Sequence, residues 1–382
     1  MANRKPTGRA ETDRGGDRTG SRSAAERRQA DSALIAALNH RAALALEWAR
    51  LSSDSQVADA GAEASSLSAS TLKANTGPLS DACLQAIYRE LMSGCRAQLE
   101  ELKVAYLGPP YSFSHQAAIE RFGQSAELIP VASVAAVFQA VQRGDVRFGV
   151  VPIENSTDGR IADSLQMFSC TPVRISGEVR LRIHHYLLGR GVRADVREVH
   201  SKPQALSQCR QWLTTHLPQA KCVETSSTTA AAETAVSRSD VAAIASQPAG
   251  VQYGLKVLAS CVEDNPHNVT RFAIIGQQSA PRSGQDRTAV MFQLAHEPGA
   301  LADSLAVFKR NRLNLTWVES FPRHRQEVPP ATATEPEQEY FFVAELEGHE
   351  TDLRVRRALT ALRRKARQVE VLGSYAHAHP VG

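Results

Sequence analysis

The chain opens on a stretch with almost nothing to bury. Residues 1 to about 28 are mostly Arg, Gly, Ser and Thr, a composition that predicts a solvated, disordered tail. Apolar positions then recur at helical spacing. Leu34, Leu38, Ala42, Ala45 and Ala49 mark one face, with Asp31 as its cap. A weakly patterned Ser/Ala-rich segment runs from Ser52 to Asn75. After Gly77-Pro78 a second helix carries Leu84, Ile87, Leu91, Cys95 and Leu102 on one face, capped by Ser80 or Asp81. Two amphipathic helices must bury their stripes against something, so residues 29–101 are expected to form a helical dimerisation arm.

From Lys103 the period changes. Val104–Leu107, Leu128–Val131 and Phe148–Val151 read as short strands, separated by helices from about Ser114 and over Val134–Arg143. Strands alternating with helices predict a parallel α/β sheet, whose ligands bind beyond the carboxyl ends of its strands. The loops in question are Gly108–Ser114 and Pro152–Gly159. A tight turn accounts for the Asn, Ser, Asp and Gly of the second loop, but has no special need of Glu154. A second α/β stretch follows. Val179–Gly189 alternates like a strand, Val199–Leu206 turns from strand to helix with Ser201 as cap, a capped helix starts at Ser226, and Val241–Ala245 is a buried strand. His184 and His185 fall inside the first of these runs. Neighbours on a strand face opposite sides, so the pair cannot chelate one metal.

The acidic loop Glu263–His267 leads into Asn268-Val269-Thr270-Arg271 and a buried apolar run, Phe272–Gly276. A hydroxyl beside a guanidinium suits the holding of a carboxylate and an adjoining oxygen. Taken alone, the pair is more plainly a strand-edge Thr and a solvated Arg. Residues 277–287 read as a linker. Beyond them come strand Thr288–Leu294, a helix from Pro298 to about Asn311, strands Leu313–Phe321 and Tyr340–Glu347, a basic helix Thr351–Lys365 and a last strand Val369–Gly373. That βαββαβ order predicts a ferredoxin-like α+β plait. A Pro- and Glu-rich insert, Arg323–Gln338, lengthens its middle hairpin.

Composition narrows the class. A chain of 382 residues predicts two or three domains, and 42% hydrophobic with 22% charged residues is ordinary for a soluble protein. No apolar run approaches the ~20 residues of a membrane span. The basic N-terminus has no apolar core behind it, and Glu11, Asp13 and Asp17 argue against a transit peptide. The net charge of +4 comes without aromatic interleaving, so no nucleic-acid partner is expected. The six cysteines include no Cys-x-x-Cys, which predicts reduced thiols in a cytoplasmic protein, with neither zinc nor disulfides.

Five fragments stand in order, each at a strand-to-helix loop: Tyr106-Leu107-Gly108-Pro109, Ser112–Ala118, Val151–Ser156, Ser201–Leu206 and Asn268–Phe272. With them the chain resembles the three-part prephenate dehydratases over residues 30–378. The resemblance implies a chorismate-mutase-like helical domain (29–101), a two-lobed α/β dehydratase domain (102–278) with a periplasmic-binding-protein-like hinge, and a C-terminal regulatory ACT domain (288–378). It implies decarboxylating dehydration of prephenate to phenylpyruvate in phenylalanine biosynthesis, without metal or cofactor. Arogenate, which differs by one amino group, stays open as the substrate. A regulator that binds an amino acid without catalysis is a further rival, against which Thr270-Arg271 and Glu154-Asn155 count.

In this reading Thr270 hydrogen-bonds the departing hydroxyl, Arg271 binds a carboxylate, and Glu154 and Asn155 complete the polar wall. Ser112, Phe113, Ser114, Ser156, Ser201, Gln208 and Phe272 line the substrate. Gly299, Ala300, Leu301, Asn314, Leu315, Glu319 and Ser320 imply a phenylalanine site between subunits of a homodimer or homotetramer. Three positions depart from the family pattern: Tyr111 stands where Gly is usual, Lys202 where His is common, and Phe321 where an Arg is usual. The mutase-like part keeps Arg41, Asp59 and Glu63. Its other cation positions fall on Ala24, Ser52 and Ala62, and its late Ser and Gln positions on Cys95 and Leu99. Chorismate rearrangement relies on cations around a dianion, so mutase activity is expected to be absent or very weak, with a fully bifunctional enzyme as the alternative.

Overall fold

The computed structural model describes residues 16–51, 67, 69–322 and 340–381. It divides into two units, residues 1–53 and 54–382. The described residues of the first form helix α1 (Gly16–Leu51). α1 begins inside the expected tail. Leu34, Ile35, Leu44 and Trp48 are exposed along it. The positions Ser52, Asp59, Ala62 and Glu63 and the insert 323–338 lie outside the described residues.

The second unit opens with α2 (Ala69–Leu72) and α3 (Asp81–Ala97), the latter capped by Ser80. α3 ends before Leu102, and it docks on the α/β body: Ser93 Oγ and Glu90 accept the backbone N–H groups of Ser125 and Gln124. The expected 29–101 helical domain is therefore divided between the two units.

A first lobe follows: β1 (Lys103–Leu107), α4 (Phe113–Phe122), β2 (Glu127–Val131), α5 (Val134–Arg143), β3 (Phe148–Asn155), β4 (Gly159–Arg160), α6 (Ala162–Phe168) and β5 (Arg174–Arg182). The second lobe holds β6 (Tyr186–Gly189), β7 (Glu198–Ser201), α7 (Pro203–Gln208), α8 (Arg210–His216), β8 (Lys221–Glu224), α9 (Thr228–Ala235), β9 (Val241–Ala245), α10 (Gln247–Gln252) and β10 (Lys256–Ala259). The chain then returns to the first lobe as β11 (Val269–Gly276). The expected single strand 179–189 is thus two strands in different sheets, broken at Ile183-His184-His185. The outgoing and returning crossings pair with each other, Ile183 N on Asn268 O and Val262 N on His185 O, both at 2.9 Å. They make a two-stranded hinge.

The last part is β12 (Asp286–Gln293), α11 (Ala300–Arg310), β13 (Leu315–Pro322), β14 (Tyr340–Glu347), α12 (Leu353–Arg363) and β15 (Gln368–Ala376), with β16 (Pro380–Val381) returning to pair with β5. Its sheet order β13-β14-β12-β15 is that of a ferredoxin-like plait. The first lobe's sheet runs β16-β5-β11-β3-β1-β2, and the second lobe's β10-β6-β9-β7-β8.

β11 lies between β5 and β3, and its alternation sorts two cores. Phe272 and Ile274 pack with Tyr106, Ala117 and Phe122. Ala273 and Ile275 pack on the other face with Phe138, Phe168 and the plait's Met291, Phe321 and Tyr375. The plait also comes very close to β5. Gly373 has φ +151°, and a Cβ there would sit 2.1 Å from the Ile175 carbonyl oxygen. Gly373→Ala is expected to cost about 1–3 kcal/mol, read as a lowered thermal midpoint. An unchanged midpoint would show that the contact is dispensable.

Candidate active site

A cleft of about 960 Å³ opens between the lobes, lined from both. The strand-to-helix loops deliver its walls. Ser112, Phe113 and Ser114 come from the start of α4, Lys202, Gln204 and Gln208 from around α7, and Ser226 to Ala230 from the start of α9. Ser112 and Ser227 cap their helices by accepting from His115 N and Ala230 N. The unpaired N–H groups of α4 and α9 therefore begin at the cleft, a setting that favours anions. Tyr111, beside Ser112, has φ +65°. The backbone here asks for the left-handed conformation glycine adopts freely.

Thr270, Phe272 and Asn155 line the cleft, and Thr270 is 8% exposed. The donors around Thr270 can be assigned in sequence. Backbone N–H groups of Thr157 and Asp158 donate to Asn155 Oδ1 at 2.9 and 3.0 Å. That fixes the amide, so Asn155 Nδ2 donates to Thr270 Oγ1 at 2.8 Å and to Asn268 Oδ1 at 2.9 Å. Thr270 is an acceptor in this pair. Its own hydrogen has no partner among the described residues and is available to the cleft.

The chain of assignments continues into the second lobe. Asn268 Nδ2 donates to Gln208 Oε1 at 3.0 Å, and Gln208 Nε2 donates to Asp158 at 2.8 Å. Gln208 Oε1 is thereby an acceptor, so His185 Nε2 donates to it at 3.0 Å. His185 is 2% exposed, lines the cleft, and has no partner on Nδ1 among the described residues. Burial, only partly offset by the bond to Gln208, lowers its pKa and favours the neutral ring. Asn268, Asp158 and His185 were not among the residues expected at the site. The sequence clue was available in part, since Asp158 and Asn268 sit in the two polar loops already singled out.

Four expected site residues lie elsewhere. Arg271 follows Thr270 on a strand, so it faces the opposite side. Its guanidinium donates to Glu154 at 3.0 Å, Glu178 at 2.9 Å and Glu345 at 2.5 Å, and stacks 5.8 Å from the Trp317 ring. It is 6% exposed and is not among the residues that line the cleft. Glu154 pairs with it on that reverse side. Ser156 is exposed and holds the hinge loop, accepting from Val269 N. Ser201 is fully buried and donates to the Ile244 carbonyl oxygen at 2.6 Å.

Burial by itself would discharge Arg271, but Tyr375, Glu345 and Glu178 outweigh it and raise the pKa. Burial likewise opposes the charge on Glu345. Arg271, with hydrogen bonds from Thr316 and Tyr375, overcomes this and lowers its pKa to about 2. A depressed carboxylate stabilises the fold fully above its unfolded value and loses that contribution as pH falls toward the folded one. Acid titration should therefore show Glu345-dependent stability intact above about 4.5 and lost from there toward 2. Glu345→Gln should flatten that part of the curve.

On the plait, Gly299 caps α11 with φ +87°, ahead of Ala300 and Leu301. Ala300 and Leu315 pack on one core, and Asn314 donates to Glu347. Glu319 and Ser320, at the far end of β13, meet Arg160, whose guanidinium donates to the Glu319 carboxylate and the Ser320 carbonyl oxygen. Arg160 also lines the cleft. Phe321 is buried in the core shared with the first lobe. Arg41 lies half-buried on α1.

A sequence model described as prephenate dehydratase matches residues 104–280. A bifunctional chorismate mutase/prephenate dehydratase from Stutzerimonas stutzeri is 39% identical over 80% of this chain and 82% of its own. The chain belongs to the prephenate dehydratase family. A solved prephenate dehydratase from Arthrobacter aurescens, in complex with L-Phe, is 33% identical, covers 72% of this chain and 90% of its own, and superposes with a TM-score of 0.65. A protein described as a quorum-quenching acylase, GqqA, is 29% identical over 72% of this chain and 98% of its own, with a TM-score of 0.63. Among the described residues no helix is long and apolar enough to cross a membrane.

Proposed function

We propose that this chain is a prephenate dehydratase whose acid-side group is Thr270. The observation that carries the reading is the Asn155–Thr270 bond, in which Thr270 accepts and so keeps its own hydrogen to donate at the cleft wall. Prephenate is a dianion with a ring hydroxyl. Its ring carboxylate leaves as carbon dioxide, the freed electron pair completes the aromatic ring, and the hydroxyl departs with its own pair. One proton taken up makes that leaving group water. The hydrogen bond from Thr270 supports charge as it builds on the oxygen.

The dianion needs cations other than Arg271. Lys202 and Arg160 line the cleft, and the N-termini of α4 and α9 open onto it. These groups hold the two carboxylates in place. The plait, with Glu319 and Ser320 on Arg160, is read as an ACT domain that senses phenylalanine and adjusts the cleft. The helical part is read as a dimerisation arm with little or no mutase activity. Incubation with prephenate, arogenate and chorismate in separate reactions tests all of this. Phenylpyruvate from prephenate is expected, inhibited by added L-phenylalanine, with chorismate left unchanged. Absence of phenylpyruvate would reject the main reading, and absence of both binding and inhibition by phenylalanine would reject the regulatory one.

A further inference from the structure

The two crossings of the hinge bring together a second set of chemical groups, outside the cleft network. His184 sits on the outgoing crossing, and Cys261 and Glu263 sit on the returning one. We propose that these three side chains form a site for a divalent transition metal of the zinc class, which staples the hinge.

The geometry is close to what such an ion needs. His184 Nδ1 lies 2.8 Å from Glu263 Oε1 and 3.9 Å from Cys261 Sγ, and all three ligand atoms fall within 4.8 Å of one another. With metal–nitrogen, metal–oxygen and metal–sulfur bonds of ~2.0–2.3 Å, tetrahedral edges come to roughly 3.3–3.7 Å. The observed spacings straddle that range. Small shifts of the three side chains bring their ligand atoms to such spacings, and water completes the fourth position. Glu263 is also held from behind, since its Oε2 accepts from the backbone N–H of His185 at 2.8 Å, the kind of support that orients a ligating carboxylate.

Charge points the same way independently. The Glu263 side chain is 2% exposed, yet among the described residues no lysine or arginine pairs with it. Its partners are one imidazole and one amide N–H. Positive charge beside a carboxylate this buried stabilises it, and a bound dication supplies more of it than an imidazole can. Cys261 is held at φ +52°, an uncommon conformation for a residue with a Cβ, and its exposure leaves the site open to solvent. A thiolate, an imidazole and a single carboxylate favour zinc over magnesium or calcium. Binding displaces the thiol proton.

Cysteine spacing predicts no zinc, and His184 and His185 do point apart; the proposed site departs from the first reading and keeps the second. His185 turns to Gln208 in the cleft, while His184 turns to Glu263. The other two ligands, Cys261 and Glu263, come from 77 and 79 positions further on, distances no local spacing rule covers.

Untagged full-length protein, dialysed against a chelator and then titrated with cobalt, tests the site. One cobalt per chain is expected, with a thiolate-to-cobalt charge-transfer band that zinc removes by competition. Cys261→Ser should abolish the band, and Glu263→Gln and His184→Gln should each weaken binding at least tenfold. Cys222→Ser, a control at another exposed thiol, should leave it unchanged. Circular dichroism checks that each variant is folded. No band, a band that survives Cys261→Ser, or binding weaker than roughly 10⁻⁴ M would overturn the proposal. The readout is metal binding alone, so it is separate from the outcome of any prephenate assay.

Discussion

Thr270→Ala is expected to lower turnover of prephenate by roughly 10²–10³-fold, the usual worth of one preorganised donor to a developing charge. The Michaelis constant should change little, because the hydroxyl contributes chiefly when the carbon–oxygen bond is breaking. Asn155 directs that hydroxyl by donating to its oxygen. Asn155→Ala should therefore lose part of the same factor, and the double variant should lose little more than Thr270→Ala alone. Thr270→Ser keeps the donor and should retain most of the rate. Steady-state kinetics on the four proteins decide the matter. An unchanged turnover in Thr270→Ala would remove the residue from the mechanism.

Arg271→Met is expected to destabilise the protein by about 3–5 kcal/mol, the cost of leaving a buried charge cluster without its cation. The Glu178 and Glu345 side chains are each 1% exposed and both depend on this guanidinium. The ring of contacts extends to Arg287, Tyr375 and His377, so the loss would loosen the plait from the first lobe. Arg271→Lys should recover only part of the stability, since an ammonium cannot reach carboxylates on three strands at once. Urea unfolding measures both. Had Arg271 gripped substrate, Arg271→Lys would raise the Michaelis constant and leave stability intact; that pattern would refute the structural role.

Much of the architecture was legible in the sequence because hydrophobic period tracks the local backbone. α5 over Val134–Arg143 and β14 over Tyr340–Glu347 fall where the alternation places them. The break at His184 was not legible. Strands on either side of it both alternate, and only the pairing partners reveal that they belong to different sheets. The site was half legible for a related reason. Thr270 and Arg271 are neighbours on one strand and so face opposite sides, which separates a cleft residue from a structural one. Ser201 is ambiguous in sequence, because a serine that ends a strand looks the same whether it faces a cavity or a neighbouring carbonyl group. Asn268 and Asp158 could be seen as polar, but their link through Gln208 joins groups from separate lobes.

The two-sided character of β11 has a signature that a saturation library would expose. Even-numbered positions from Thr270 to Ile274 face the helix α4 and, at their start, the cleft; odd-numbered ones face the plait. Growth without phenylalanine would penalise both sets. Soluble yield would separate them, with abundance spared at Thr270 and falling sharply at Arg271, so that neighbouring codons in one strand report on unrelated physical requirements.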